Sequence, residues 1–192
     1  MTIKADVVII GAGPAGLCFA KSLADSGLQV VVLERQSESS LASPAFDGRE
    51  IALTHHSAEL MRELGLWSHI PPEAISPLRD ARVFNGTSLF SMDIGHRDTQ
   101  KTELGYLISN HLVREAAYQA ANSSRAISIK SKVEVTNIKT DADSARVTLN
   151  TGETIQAKLL IGADSRFSET RRAMGIAADM HDFGKTMMVC VM

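Results

Sequence analysis

Gly11, Gly13 and Gly16 follow the apolar run Val7 to Ile10 at the spacing G-x-G-x-x-G and open a stretch with helical character. A turn of this kind bares backbone N–H groups at a helix start, where the dipole is positive, and such a place binds a diphosphate. Gly11 permits the tight turn, Gly13 lets the backbone approach a pyrophosphate with no side chain between, and Gly16 lets the helix lie close on the strand. Pro14 suits an early helical position, which needs no N–H donor. Val30 to Leu33 read as a second buried strand that delivers Glu34 to the C-terminal edge of the sheet, about 20 residues beyond the glycines. An acid there accepts ribose hydroxyls and disfavours a 2′-phosphate, which points to FAD or NAD rather than NADP. The plain alternative for Glu34 is a solvated strand-end acid.

The elements that must position these residues follow from periodicity. A helix is expected from Pro14 to about Asp25, stopped before Gly27. Ser39 to Gly48 reads as a loop, and Ser57 to Leu66 as a core-packing helix with Leu60, Met61 and Leu64 at helical spacing. Pro71, Pro72 and Pro77 break the chain. Arg82 to Phe84 and Ser88 to Met92 then read as a hairpin around Asn85-Gly86. Asn110 is placed to cap a helix that runs to about Ala121, and a short strand follows at Ile127 to Ile129. Val133 and Val135, Val147 and Leu149, and Ile155 and Ala157 alternate as an antiparallel meander. Its last strand is expected to run on into Leu159-Leu160-Ile161 and deliver Gly162-Ala163-Asp164-Ser165 to a sheet edge. A helix carrying Arg171 and Arg172 comes next, for which a solvated face is the plain alternative.

With 192 residues, 44% hydrophobic content and a formal net charge of −2, the chain can bury a sizeable core. Its 20 Lys and Arg are scattered and do not alternate with aromatics, which argues against nucleic-acid binding. No run approaches the roughly 18 apolar residues of a membrane span, and no basic-then-apolar leader opens the chain, so a cytoplasmic location is expected. Cys18 and Cys190 have neither a redox nor a zinc spacing and read as buried thiols. The histidines, including the adjacent His55 and His56, lack ligand spacing, so no metal site is expected.

Four motifs in order carry a resemblance to the single-component flavin-dependent aromatic hydroxylases, the family of para-hydroxybenzoate hydroxylase. They are Gly11-Ala12-Gly13-Pro14-Ala15-Gly16, Glu34-Arg35, Asp47-Gly48-Arg49-Glu50-Ile51-Ala52-Leu53, and Gly162-Ala163-Asp164-Ser165-Arg166-Phe167-Ser168-Glu169-Thr170-Arg171. The form Asp-x-Arg-x-x-Ala-Leu, followed by Leu60, Leu64-Gly65 and Trp67, is similar to the branch that serves ubiquinone biosynthesis. The fold implied is α/β: a Rossmann-like FAD-binding domain with a β-meander, plus an incomplete β-rich substrate domain. Residues 1–75 and 105–178 would form the first, and 76–104 with 179–192 part of the second. The resemblance places Gly11, Gly13, Pro14, Ala15, Gly16, Glu34, Arg35, Arg49 and Asp164 at FAD. Arg114 is a further candidate, with Ser109 and Asn110 as its alternatives and an exposed helix arginine as the plain reading. One departure is Ser165 where the family has glycine, which implies a relaxed turn or an altered contact.

The activity implied is monooxygenation: FAD, with NADH or NADPH as electron donor and O₂ as oxygen source, hydroxylates a phenolic or quinol-precursor ring. No catalytic residue is assigned. The partners implied are an aromatic small molecule and O₂, and peripheral membrane or multi-enzyme association and a homo-oligomer stay open. Relatives extend well past the point matching Met192, so the apolar run Met187 to Met192 is expected to end a truncated product, inactive alone and prone to association. Two other readings remain: a Rossmann oxidoreductase without oxygenation, and a non-catalytic cofactor-binding remnant.

Overall fold

Val7, Ile9, Val30 and Val32 bury one set of side chains, and Val8, Ile10, Val31 and Leu33 bury the alternate set on the opposite face. A strand covered on both faces belongs in the middle layer of a sandwich, and the computed structural model, which describes residues 1–188, has that arrangement. Strand β1 (Thr2–Lys4) is followed by β2 (Val7–Ile10), helix α1 (Pro14–Ser22) and β3 (Val30–Leu33). A short helix α2 (Glu38–Ala42) precedes β4 (Glu50–Leu53), α3 (His55–Glu63), β5 (Ser76–Leu78), and the hairpin β6 (Asp80–Phe84) and β7 (Ser91–Gly95). Then come β8 (Gly105–Ser109), α4 (Asn110–Asn122), β9 (Ile127–Lys130), β10 (Val135–Thr140), β11 (Ala145–Leu149), β12 (Thr154–Ala157), β13 (Leu159–Gly162) and α5 (Glu169–Ala173).

The central sheet is parallel in the order β13-β2-β3-β9. On one face it packs against α1 and α4, whose Leu17, Ala20, Ala116, Ala117, Ala120 and Ala121 are buried. On the other face lies the sheet β1-β12-β11-β10, which contributes Ala145, Val147, Leu149, Ile155 and Ala157. A third, antiparallel sheet β4-β8-β5 and the β6-β7 hairpin lie outside this sandwich. The expected α/β class, parallel βαβ unit and meander are all present.

Several expected boundaries move, each for a local reason. Helix α1 stops at Ser22, not Asp25, because Ser22 Oγ and Ser26 Oγ donate to the carbonyls of Phe19 and Leu23 while the chain tightens into i→i+3 turns. Helix α3 starts at His55 because Thr54 caps it, its Oγ1 accepting the Ser57 N–H at 3.1 Å. The expected loop after Ser39 contains part of α2, capped by Ser37. Asn85-Gly86 does turn, but Ser88 Oγ then accepts the Phe90 N–H in a second turn, so the returning strand begins at Ser91 and not Ser88. Pro77 lies in β5, an edge strand, where its missing donor costs no ladder bond. Strand β12 does not run on into β13: the Lys158 and Leu159 N–H groups both donate to the Asp6 carbonyl, and the chain changes sheet there. Strand β1, unanticipated, pairs in parallel with β12. Cys18 is half-buried and burial raises its thiol pKa, whereas Cys190 lies outside the described residues.

Lys132 has φ +56°, the one non-glycine residue in the left-handed region among those described. Its N–H donates to the Gln36 carbonyl at 3.0 Å, and the neighbouring Val133 N–H to that of Glu34 at 3.0 Å, so this conformation ties the β9–β10 turn to the end of β3. The left-handed penalty of about 1–2 kcal/mol exceeds the roughly 0.5–1 kcal/mol entropic cost of glycine. Lys132→Gly is therefore expected to raise unfolding stability by about 0.5–1 kcal/mol, read by thermal or urea denaturation; a clear loss would contradict the account of this turn.

Candidate nucleotide-binding site

Strand β2 has β3 on one side, reached through α1, and β13 on the other, reached from the far end of the chain. The chain therefore reverses direction of travel across the sheet at β2, and ligands of open α/β sheets bind at the carboxyl ends of strands beside such a point. Gly11 stands there with φ +110°, its N–H bonded to the Leu33 carbonyl at 2.8 Å. A Cβ on Gly11 would lie 2.3 Å from the Ala163 carbonyl oxygen, and one on Gly16 would lie 2.1 Å from that of Gly11. Both glycines are thus required by backbone crowding. Gly13 differs, because a Cβ there would meet nothing within 4 Å. It is the N-cap residue of α1, no side chain caps the helix, and the first turn holds no acid. Pro14 and the exposed Ala15 follow, so the start of the helix presents N–H groups without side-chain partners to open space.

Glu34 is not a solvated acid: it is 8% exposed, with Oε2 accepting the Ala12 N–H at 2.8 Å and Oε1 accepting the Gln36 N–H at 2.9 Å. Each carboxylate oxygen retains a lone pair, so Glu34 braces the glycine turn and can still accept a ribose hydroxyl. A cavity of about 670 Å³ opens beside it, with Gly11, Glu34, Arg35, Val133, Asp164 and Ser165 among its walls. Asp164 is part-buried. Burial alone would raise its pKa, but hydrogen bonds from Ser168 Oγ (2.5 Å) and the Thr170 N–H (3.1 Å) hold the carboxyl below its usual range. These bonds close the turn that carries Ser165. Ser165 is outside the left-handed region, so the backbone of this turn does not require glycine there.

Gly11, Glu34, Arg35 and Asp164 therefore line one crevice, whereas Gly13, Pro14, Ala15 and Gly16 are not among its walls. Arg49 does not line this cavity; its guanidinium is bonded to Asp47 through Nε (2.9 Å) and Nη2 (2.5 Å). Arg114 Nη2 donates to Gln36 Oε1 at 3.1 Å, beside Glu34. Asn110 is not the cap of α4. Ser109 occupies that position, and the Asn110 side chain donates to Asp47 Oδ2 at 2.7 Å. Tyr118 Oη reaches Glu38 Oε1 at 3.2 Å. Asn110, Arg114 and Tyr118 thus form a polar stripe that straps the segment after β3, and their spacing of four residues was the sequence signal for it. Among the described residues, no three His, Cys, Asp or Glu side chains gather as a metal site.

A helix start bared at Gly13, where a side chain would project into open space, beside a buried acid, suits the pyrophosphate and ribose of a dinucleotide. A family model described as the FAD binding domain matches residues 4–192. The chain belongs to that family. It is 47% identical to ubiquinone hydroxylase UbiM of Neisseria meningitidis over 100% of this chain and 42% of that protein. It is 31% identical to ubiquinone hydroxylase UbiL of Rhodospirillum rubrum over 96% of this chain and 43% of the relative. Among solved structures, the OxyS anhydrotetracycline hydroxylase from Streptomyces rimosus superimposes with a TM-score of 0.72 at 26% identity, over 90% of this chain and 34% of that one. The expected resemblance to flavin hydroxylases of the ubiquinone branch is thus found, and the chain spans less than half the length of these curated relatives.

The contrast between glycines generates a test. Gly13→Val is expected to keep the circular dichroism spectrum and melting temperature of the parent while FAD affinity falls at least a hundredfold, about 2.7 kcal/mol or more. Gly11→Val is expected to disrupt the fold itself. Unchanged FAD affinity in a folded Gly13→Val protein would contradict the placement of the pyrophosphate.

Proposed function

We propose that this chain is the FAD-holding part of a monooxygenase that hydroxylates an aromatic ring, in the manner of the ubiquinone hydroxylases it resembles. The observation that carries the reading is the bared α1 start at Gly13 beside the buried Glu34, in a chain 47% identical to UbiM. In this reading the Gly13 turn and the first N–H groups of α1 bind the pyrophosphate, and Glu34 accepts the adenosine ribose hydroxyls. Arg35 and Arg114 flank the adenosine end, Arg49 offers donors to an anionic group, and Asp164 keeps its turn open toward the cavity. Residues 1–75 and 105–178 serve the cofactor, while 76–104 and 179–192 belong to a substrate-facing unit. FAD bound there supplies the redox chemistry that couples NADH or NADPH oxidation to transfer of an oxygen atom from O₂ to an electron-rich ring.

Two measurements test this. Glu34→Ala is expected to weaken FAD by about 1.5–3 kcal/mol, tenfold or more, in a fluorescence titration, and ADP is expected to compete where riboflavin does not. In a bacterium lacking a ring hydroxylase of ubiquinone synthesis, the full reading frame that contains this chain is expected to restore the missing hydroxylation. Gly13→Val in that frame should abolish it. Failure to restore despite good FAD binding would refute the hydroxylase while leaving the cofactor site intact.

A further inference from the structure

The turn Asp47-Gly48-Arg49 is tied at more points than a surface loop needs. Gly48 has φ +70°, which doubles the chain back so that the Arg49 N–H donates to Asp47 Oδ1 at 3.2 Å. Arg49 Nε and Nη2 both donate to Asp47 Oδ2, and the Asn110 side chain donates to the same oxygen. The Asn110 N–H also donates to the Arg49 carbonyl at 2.8 Å. Asn110, 8% exposed, thereby closes the ring from both ends. The bonds from Arg49 and Asn110 hold the Asp47 carboxyl well below the usual carboxylate range, so the ring persists in its ionised form at neutral pH.

We infer that Asp47 and Asn110 are positioning residues for Arg49, fixing its guanidinium so that its remaining N–H groups face an anionic part of the bound dinucleotide. This rests on the reading of the chain as an FAD-binding domain. A guanidinium has five N–H donors, of which Asp47 takes two, and the Arg49 side chain stays 62% exposed. An exposed ion pair contributes little to folding, so stability does not account for the arrangement. Ordering a flexible arginine before the ligand arrives does, because that ordering no longer opposes binding.

The place is also right. Asn110 and Arg114 are four residues apart on α4, and Arg114 holds the side chain of Gln36, whose backbone N–H is a partner of Glu34. Four helical residues, a rise of about 6 Å, therefore separate the anchor of the Arg49 turn from the anchor of the Glu34 edge. The sign of the effect discriminates between two roles. If Asp47 merely neutralised Arg49, removing its charge would tighten an anionic ligand; if it positions Arg49, removal weakens the ligand.

The test measures FAD affinity by flavin fluorescence in the product of the full reading frame that contains this chain and in its Arg49→Ala, Asp47→Asn, Asp47→Glu and double Asp47→Asn/Arg49→Ala variants. Melting temperature confirms folding. Arg49→Ala and Asp47→Asn are each expected to weaken FAD about tenfold, the double variant no more than Arg49→Ala alone, with partial recovery in Asp47→Glu. Without ligand, the Arg49 Nε–H is expected to exchange slowly with solvent by nitrogen NMR in the parent and rapidly in Asp47→Asn. Unchanged or tighter FAD in Asp47→Asn, or additive losses in the double variant, would overturn the proposal. If Arg49→Ala binds FAD normally while Gly13→Val does not, the proposal falls and the FAD reading stands. If the full-frame parent protein binds no FAD, both fall.

Discussion

Three stretches of backbone meet at Gly11 more closely than side chains allow. The turn after β2, the first turn of α1 around Gly16 and the end of β13 at Ala163 press together at distances where a single Cβ would overlap a carbonyl oxygen. This crowding fixes where α1 begins, over the carboxyl end of β2 and between its two neighbours. The open position at Gly13 is the consequence. A side chain capping that helix would close the space, and the sequence supplies none.

A turn made of glycines is loose by itself, and Glu34 supplies the stiffness. Burying a carboxylate is costly unless its oxygens find donors, and here Ala12 and Gln36 provide them. The same two bonds that satisfy the acid join the end of β3 to the glycine turn. Helix α4 extends the arrangement outward, since Asn110, Arg114 and Tyr118 hold Asp47, Gln36 and Glu38 along one stripe. The small residues Ala116, Ala117, Ala120 and Ala121 let the other face of α4 pack into the core beneath.

The parallel βαβ unit and the meander were legible because strong apolar patterns and glycine spacing act locally, within one element and its turn. The need for glycine at positions 11 and 16 was legible for the same reason, since each answers a local steric demand of the turn. Less legible were features settled by competition between partners distant in sequence. Asn110 has the residue type of a helix cap, yet Asp47 claims its side chain. Glu34 reads as a ribose acceptor, and its bracing of Ala12 emerges only once the turn folds back over the strand end. The change of sheet at Lys158 depends on the Asp6 carbonyl, which no periodicity near Lys158 signals.

The proposed seat of the dinucleotide is the bared start of α1 together with Glu34. The most direct measurement is a backbone amide NMR map of the chain titrated with FAD. The largest shifts, with slowed hydrogen exchange, are predicted at Ala12 to Leu17 and at Glu34 to Gln36. Saturable FAD binding that leaves those amides unmoved and perturbs another surface would contradict it.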